Sequence, residues 1–323
     1  MSVLYNDMYK TRQKLSTVVN KRETKPETKE KIRKLNKIIS FANREGLNTK
    51  GAYEYIIMND GKAVSYIVQV AEPDQLQRVT WWYPIIGSVP YKGYFSKDEV
   101  VQEEKIWKEK GYDTHLSSAA AFSSLGWFED PVFLSMLNRS ESELAELIFH
   151  ELVHRTVWIK DSVEFNEKFA TYIAEKLTIE YLSKEKKHSL LSNYQQHQED
   201  KELFHRWLIN LKAELTVYYG KVKSKSLEVK LVGKKKIFEH HLSVLKPDFK
   251  RVNYLGSFDS WNNAKVLSYS LYRPDYKVFN QAFSCYKGRK VGDFVVDVGR
   301  YLEGSRDYAE RLKHFCENKR SRG

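Results

Sequence analysis

Read for the spacing of its apolar residues, the chain alternates between two periods. Residues 5–20 carry Leu15, Val18 and Val19 to one side and predict a first helix. Residues 26–46 predict a second, opened by Pro26, closed by Gly46 and given an apolar face by Ile32, Leu35, Ile38, Ile39 and Ala42. Between 53 and 70 the period drops to two. The runs YEYIIM and AVSYIVQV flank Asn59-Asp60-Gly61, which predicts a hairpin, and VTWWYPII (79–86) reads as a third strand of the same sheet. Ser96 with Glu99 opens a helix that ends at Gly111, and residues 114–128 read as a strand and its turn. From Ser140 onward the period stays helical. One helix starts there, a second runs from about 162 to about 182, and a long antiparallel pair covers 187–219 and 221–246 with its break at Gly220. A short helix over 260–273 stops at Arg273-Pro274, and a last one covers 292–316. The closing residues, NKRSRG, are expected to be disordered. This order predicts an α+β fold with a small N-terminal β-sheet and a helix-dominated C-terminal part. The expected division is a helical segment over 1–50, a core over 51–183 and a mostly helical lobe over 184–323.

The chemistry concentrates between Ser140 and Ala174. Ser140 and Glu143 make a capping box, and Leu144, Leu147, Ile148, Leu152 and Val153 recur at helical spacing behind it. On that helix His150 and His154 stand at i and i+4, on one side, so two imidazoles can reach one ion. Glu151, beside the first, can reach a water held there and act as general base. Asp161 with Glu164 reads as a second capping box, which places Glu167 in the first turns of a second helix folded back on the first. The plain alternative is an amphipathic helix with two surface histidines; the caps and the following Asn166-Glu167-x-x-Ala170 weigh against it. Metzincins need a Gly and a third His after this string, and Val157 and Lys160 occupy those positions, so that class is excluded. A Glu on the following helix remains, with Glu167 the better candidate and Glu175, two turns on, the next. Three protein ligands and an open position describe one catalytic Zn²⁺ per chain. Tyr272, with His197 behind it, is the candidate donor to an oxyanion, and Asn166 and Glu146 are near enough in sequence to orient the imidazoles.

The runs AFSSLGWFEDP (121–131), ELAELIFHELVHRTVW (143–158) and DSVEFNEKFATYIAE (161–175) resemble the bacterial "predicted aminopeptidase" family of zinc peptidases. The likeness continues through WYPIIGSVPYKGYF (82–95), GYD (111–113) and WNNAKVLSYSLYRPDYKVF (261–279), and so covers roughly 40 to 280. Phe122 and Ser124 stand where Tyr and Thr are commoner. The resemblance implies a zincin-like metallopeptidase fold and a zinc-dependent peptidase, an aminopeptidase by that family's description. In peptidases of this type the strand before the active helix often lies along the cleft edge, where an extended substrate can add to it. Ala121, Phe122, Ser123, Ser124, Leu125 and Gly126 are expected to do this, with Trp127 and Phe128 as pocket candidates. An aminopeptidase also needs an acidic anchor for the free amine, for which Glu129 and Asp130 are candidates. The alternatives are a zinc endopeptidase acting on cell-envelope peptides and a non-catalytic peptide-binding module. Glu151 argues against the last, because a pure binder has no need of a general base.

Composition narrows the partners. Fifty-four Lys and Arg against 42 Asp and Glu give a net charge of +12. That balance favours a peptide substrate with acidic character or contact with an anionic envelope surface. The basic residues are spread widely with no nucleic-acid motif, so nucleic acid is not an expected partner. No run of 18 apolar residues predicts a membrane span, and the first 25 residues lack the apolar core of a leader. Members of the resembled family are usually exported or lipid-anchored. The expectation is therefore periplasm or cell envelope if a leader precedes Met1 in the natural chain, and cytoplasm if Met1 is its start. Cys285 and Cys316 either pair or remain thiols. His188, His197, His205, His240 and His241 are expected to be surface or packed residues.

Overall fold

The structure is a computed structural model and describes residues 10–58, 65–84, 87–119, 130–249, 255, 261–272, 276–286, 289–305 and 307–320. It is α+β and dominated by helices, as the apolar spacing predicts. Strand β1 (Gln13–Lys14) precedes α1 (Leu15–Asn20), so the first helix is shorter than expected: Gln13 and Lys14 are taken up by pairing with β2 (Tyr55–Ile57). Helix α2 (Pro26–Arg44) forms as expected and buries Ile32, Leu35, Ile38, Phe41 and Ala42.

Strand β2 also pairs in parallel with β8 (Val132–Phe133), whereas β3 (Ser65–Ala71) lies in another sheet between β6 (Lys92–Tyr94) and β7 (Asp113–Ala119). The expected hairpin between the two apolar runs is therefore corrected. A seven-residue antiparallel ladder with β7 outcompetes the short run on the other side of the turn, and residues 59–64 themselves lie outside the described residues. The third strand is corrected as well. Strand β4 (Trp81–Tyr83) pairs with β5 (Gly87–Val89) in a separate ribbon, joined to β3 through the bridge between Ala71 and Arg78. Alternation along β3 sets the two faces of its sheet. Val68 and Val70 pack on Val100 and Trp107 of α3 (Lys97–Glu109), while Ser65 and Ile67 face the other way with Ser117 and His115 of β7.

Helices α4 (Glu141–Thr156) and α5 (Val163–Lys184) form the central pair. Of the helices that follow, α6 (His188–Lys221) packs on this pair, α7 (Leu227–Ser243) packs on α6, and α8 (Asn263–Ser270) packs on α6, β3 and β7. Gly220 remains inside α6, so the break expected there falls at 222–226 instead. The last expected helix is divided into α10 (Val291–Leu302), α11 (Tyr308–Lys313) and α12 (Phe315–Arg320), preceded by α9 (Tyr276–Phe283). Because α12 runs to Arg320, the disorder expected from 318 does not hold for 318–320. Cys285 and Cys316 form a disulfide that ties the end of α9 to α12. The largest core joins Leu15 near one end of the chain to Phe315 near the other, and at its centre Phe41, Phe149 and Tyr181 pack with ring centroids 5.4 to 6.2 Å apart. No described helix is long and apolar enough to cross a membrane.

Candidate metal centre

The start of α4 is fixed by its cap. Ser140 Oγ accepts the Glu143 N–H at 3.3 Å while Glu143 Oε2 accepts the Ser140 N–H at 3.0 Å, the reciprocal pair expected from sequence. The second expected box does not form. Ser162 is the N-cap of α5 and makes no side-chain cap bond. Asp161 takes a left-handed conformation (φ 59°) and accepts the Ser88 N–H at 2.9 Å, while Glu164 binds Lys168 and Arg78. Asp161 lies so close to Gly87 that a Cβ there would overlap it. The turn itself is clamped by Asn166, whose amide donates to Ile159 O (2.7 Å) and accepts from Ile159 N (3.0 Å). These contacts set α5 against α4 and bring the next residue, Glu167, back over the histidines.

The outcome is a tight triangle. His150 Nε2 and His154 Nε2 are 3.1 Å apart, and Glu167 Oε2 lies 3.2 Å from the first and 3.6 Å from the second. Donors of a tetrahedral zinc with bonds of about 2.0–2.1 Å stand about 3.3 Å from one another, so this donor set fits that ion in chemistry and spacing. Among the described residues no other group of three or more His, Cys, Asp or Glu side chains converges in this way. Burial alone would raise the Glu167 carboxyl, but His154 and His150 hold it well below the usual carboxylate range. Burial depresses His150, and the bond to Glu167 more than offsets it, leaving the ring raised. Glu151, 9 % exposed, is pushed up by burial, and the two imidazoles pull it back only in part. His154 Nδ1 is buried without a hydrogen-bond partner among the described residues. Neither Asn166, spent on Ile159, nor Glu146, paired with Lys201 at 3.2 Å, fills that role.

The triangle opens on a cleft of about 820 Å³. One wall is the sheet face carrying Ser65, Ile67, His115 and Ser117; another is α4, with Glu143, Glu146, Leu147, His150, Glu151 and His154. Tyr272, just after α8, lies opposite, its ring 6.5 Å from that of His150. The residue is 36 % exposed, yet loss of water around its hydroxyl first and the Glu167 carboxylate next raise that hydroxyl above the usual tyrosine value. Helix α8 is set in place by Asn262, which donates to Thr114 O at 2.8 Å, and by Asn263, whose N–H donates to Asp113 at 2.8 Å. His188, His197, His205, His240 and His241 are not among the lining residues. Glu175 is not at the triangle; it binds Lys201 at 2.7 Å and accepts from Tyr276 Oη at 2.7 Å. Asp130 is buried in an ion pair with Arg155 at 2.5 Å, away from the role of amine anchor. Ala121, Phe122, Ser123, Ser124, Leu125 and Gly126, with Trp127, Phe128 and Glu129, lie outside the described residues.

Sequence reasoning passed over Tyr91, His115 and Trp158. Tyr91 lines the cleft, and its hydroxyl is raised by burial and then by Glu167 and Glu151. Its signal was its place in the run 82–95, next to the ribbon that Asp161 holds. His115 is pushed down to about 4 by burial and then by Lys265, and could have been read from its alternation with Ser117. Trp158 packs edge-on against His154, with ring centroids 5.3 Å apart.

Searches among curated proteins and among solved structures give no match. A family model described as "Putative aminopeptidase" matches residues 5–314. With nearly its whole length inside that match, the chain belongs to the Putative aminopeptidase family.

Proposed function

We propose that the chain is a zincin-like, zinc-dependent aminopeptidase, with one Zn²⁺ held by His150, His154 and Glu167. The observation that carries this reading is the convergence of two imidazole Nε2 atoms and one carboxylate oxygen within 3.6 Å, on the wall of a cleft and beside a buried glutamate. A zinc ion in that seat would acidify a water and polarise the scissile carbonyl. Glu151 takes the proton of the attacking water and returns it to the leaving amine; its raised carboxyl suits both halves of that transfer. Tyr272 donates to the developing oxyanion, and Tyr91 closes the site beside it. Both are phenols and so are protonated donors at neutral pH.

Glu146 is the proposed anchor for the substrate's free amine. It stands one helical turn before His150 and lines the cleft. With Glu175 it shares a single Lys201, so two carboxylates face one ammonium and the group keeps room for a second cation. The backbone of Ala121–Gly126, which follows β7, is proposed to pair with the extended substrate. The substrate is a peptide or protein, and the envelope is the proposed place of action.

The test is mass spectrometry of a peptide pool, half with free and half with acetylated amino termini, after incubation with zinc-loaded protein and with a Glu151→Gln blank. Stepwise loss from free ends alone is expected, and Glu146→Gln should raise KM for those peptides more than it lowers kcat. Internal cuts in both halves would replace the aminopeptidase with an endopeptidase. No cuts in either would favour a binding role.

A further inference from the structure

The hairpin of α6 and α7 carries two kinds of lysine. On its inner side Lys230 binds Asp74 at 2.8 Å and Lys234 binds Asp113 at 2.9 Å, fastening α7 to the segment after β3 and to the start of β7. Lys221, Lys223, Lys225 and Lys236 are exposed and have no acidic partner among the described residues. Between 212 and 236 the chain holds eight lysines and two glutamates. Aliphatic side chains stand among these lysines: Val217, Leu227, Val229 and Val232 are 56, 51, 48 and 52 % exposed. Helix α7 is thus apolar on two sides. Ile237 and Phe238 enter the core, while Val229 and Val232 point away from it. Tyr218 holds the two helices together by donating to Val229 O at 2.9 Å and lying against Gly233.

We propose that this tip docks on an anionic lipid bilayer, with the lysines meeting headgroup phosphates and the aliphatic side chains entering the headgroup layer. The charge matches an anionic partner. The branched aliphatics favour lipid over nucleic acid, since between 212 and 236 there is no arginine and the two aromatic rings are taken up, Tyr219 in the core and Tyr218 against Val229 and Gly233. Docking is read without turnover, so its failure and the failure of the metal reading are separate events.

The experiment is co-sedimentation of the full chain with phosphatidylcholine vesicles, with and without phosphatidylglycerol. It compares wild type, a tip variant (Lys221→Glu, Lys223→Glu, Lys225→Glu), a charge-matched control on other exposed lysines (Lys25→Glu, Lys37→Glu, Lys97→Glu) and an apolar variant (Leu227→Ser, Val229→Ser). Wild type and control are expected to bind the anionic vesicles. The tip variant should bind at least about tenfold more weakly, and the apolar variant several-fold more weakly, with unchanged thermal midpoints. The proposal is overturned if wild type stays in solution, if the control loses as much as the tip variant, or if the apolar variant binds like wild type.

Discussion

Glu167 stays ionised in a buried place because two imidazoles face it, and in the proposed ligand set its carboxylate is the third donor. Glu167→Ala should therefore abolish zinc binding, read by elemental analysis, while Glu151→Gln should keep the metal and lose turnover by about 10²–10⁴-fold. Tyr272→Phe should lower kcat by about 10²-fold with little change in KM; full turnover in that variant would remove it from the oxyanion role. The two histidines and their glutamate neighbour were legible in the sequence because one helix's geometry alone places them. Glu175 was legible only as a rival. Eight residues beyond Glu167 lie about 12 Å further along a helix, which carries it to Lys201 and Tyr276 instead. Tyr91 was legible only as part of the run 82–95, since a ribbon pinned from the distant Asp161 precedes it and places it at the cleft.

Among the elements, the turn between α4 and α5 sets Glu167 against His150 and His154. Asn166→Ala removes both bonds to Ile159 and should lower zinc affinity by about 10–100-fold, measured by titration of metal-free protein. Ser140→Ala, at the far end of α4, should reduce stability by about 1 kcal/mol in urea and leave zinc affinity unchanged. Equal effects of the two variants on the metal would remove the positioning role of the turn. The same contrast explains which caps could be read. The Ser140 box is local and solvent-facing, so sequence sufficed. At Asp161 a tertiary partner, the Ser88 N–H, competes for the carboxylate and wins. Strand pairing failed for the same reason: Asn59-Asp60-Gly61 signals a turn, but the flanking strands find longer or better-buried partners far away in the chain.

Across the whole molecule, the two ends of the chain are packed into one core, Leu15 at one end and Phe315 at the other. The Cys285–Cys316 disulfide closes a separation of 31 residues on that core. Closure of a loop that long contributes about 3–4 kcal/mol in the chain-entropy account, so Cys316→Ser should lower the thermal midpoint by several degrees without altering zinc binding. An unchanged midpoint would show that the helices after Val291 are held by packing alone. The helix-dominated α+β class was legible from periodicity. The order of the sheets was not, because parallel pairing of β2 with β8 depends on what lies between them and leaves no local mark.

Titration of zinc into metal-free protein, followed by calorimetry, asks whether His150, His154 and Glu167 hold a metal. One site is expected in wild type and in Glu151→Gln, and none in His154→Ala or Glu167→Ala. A wild-type chain that binds no zinc, or a Glu167→Ala chain that binds it as wild type does, would contradict that ligand set.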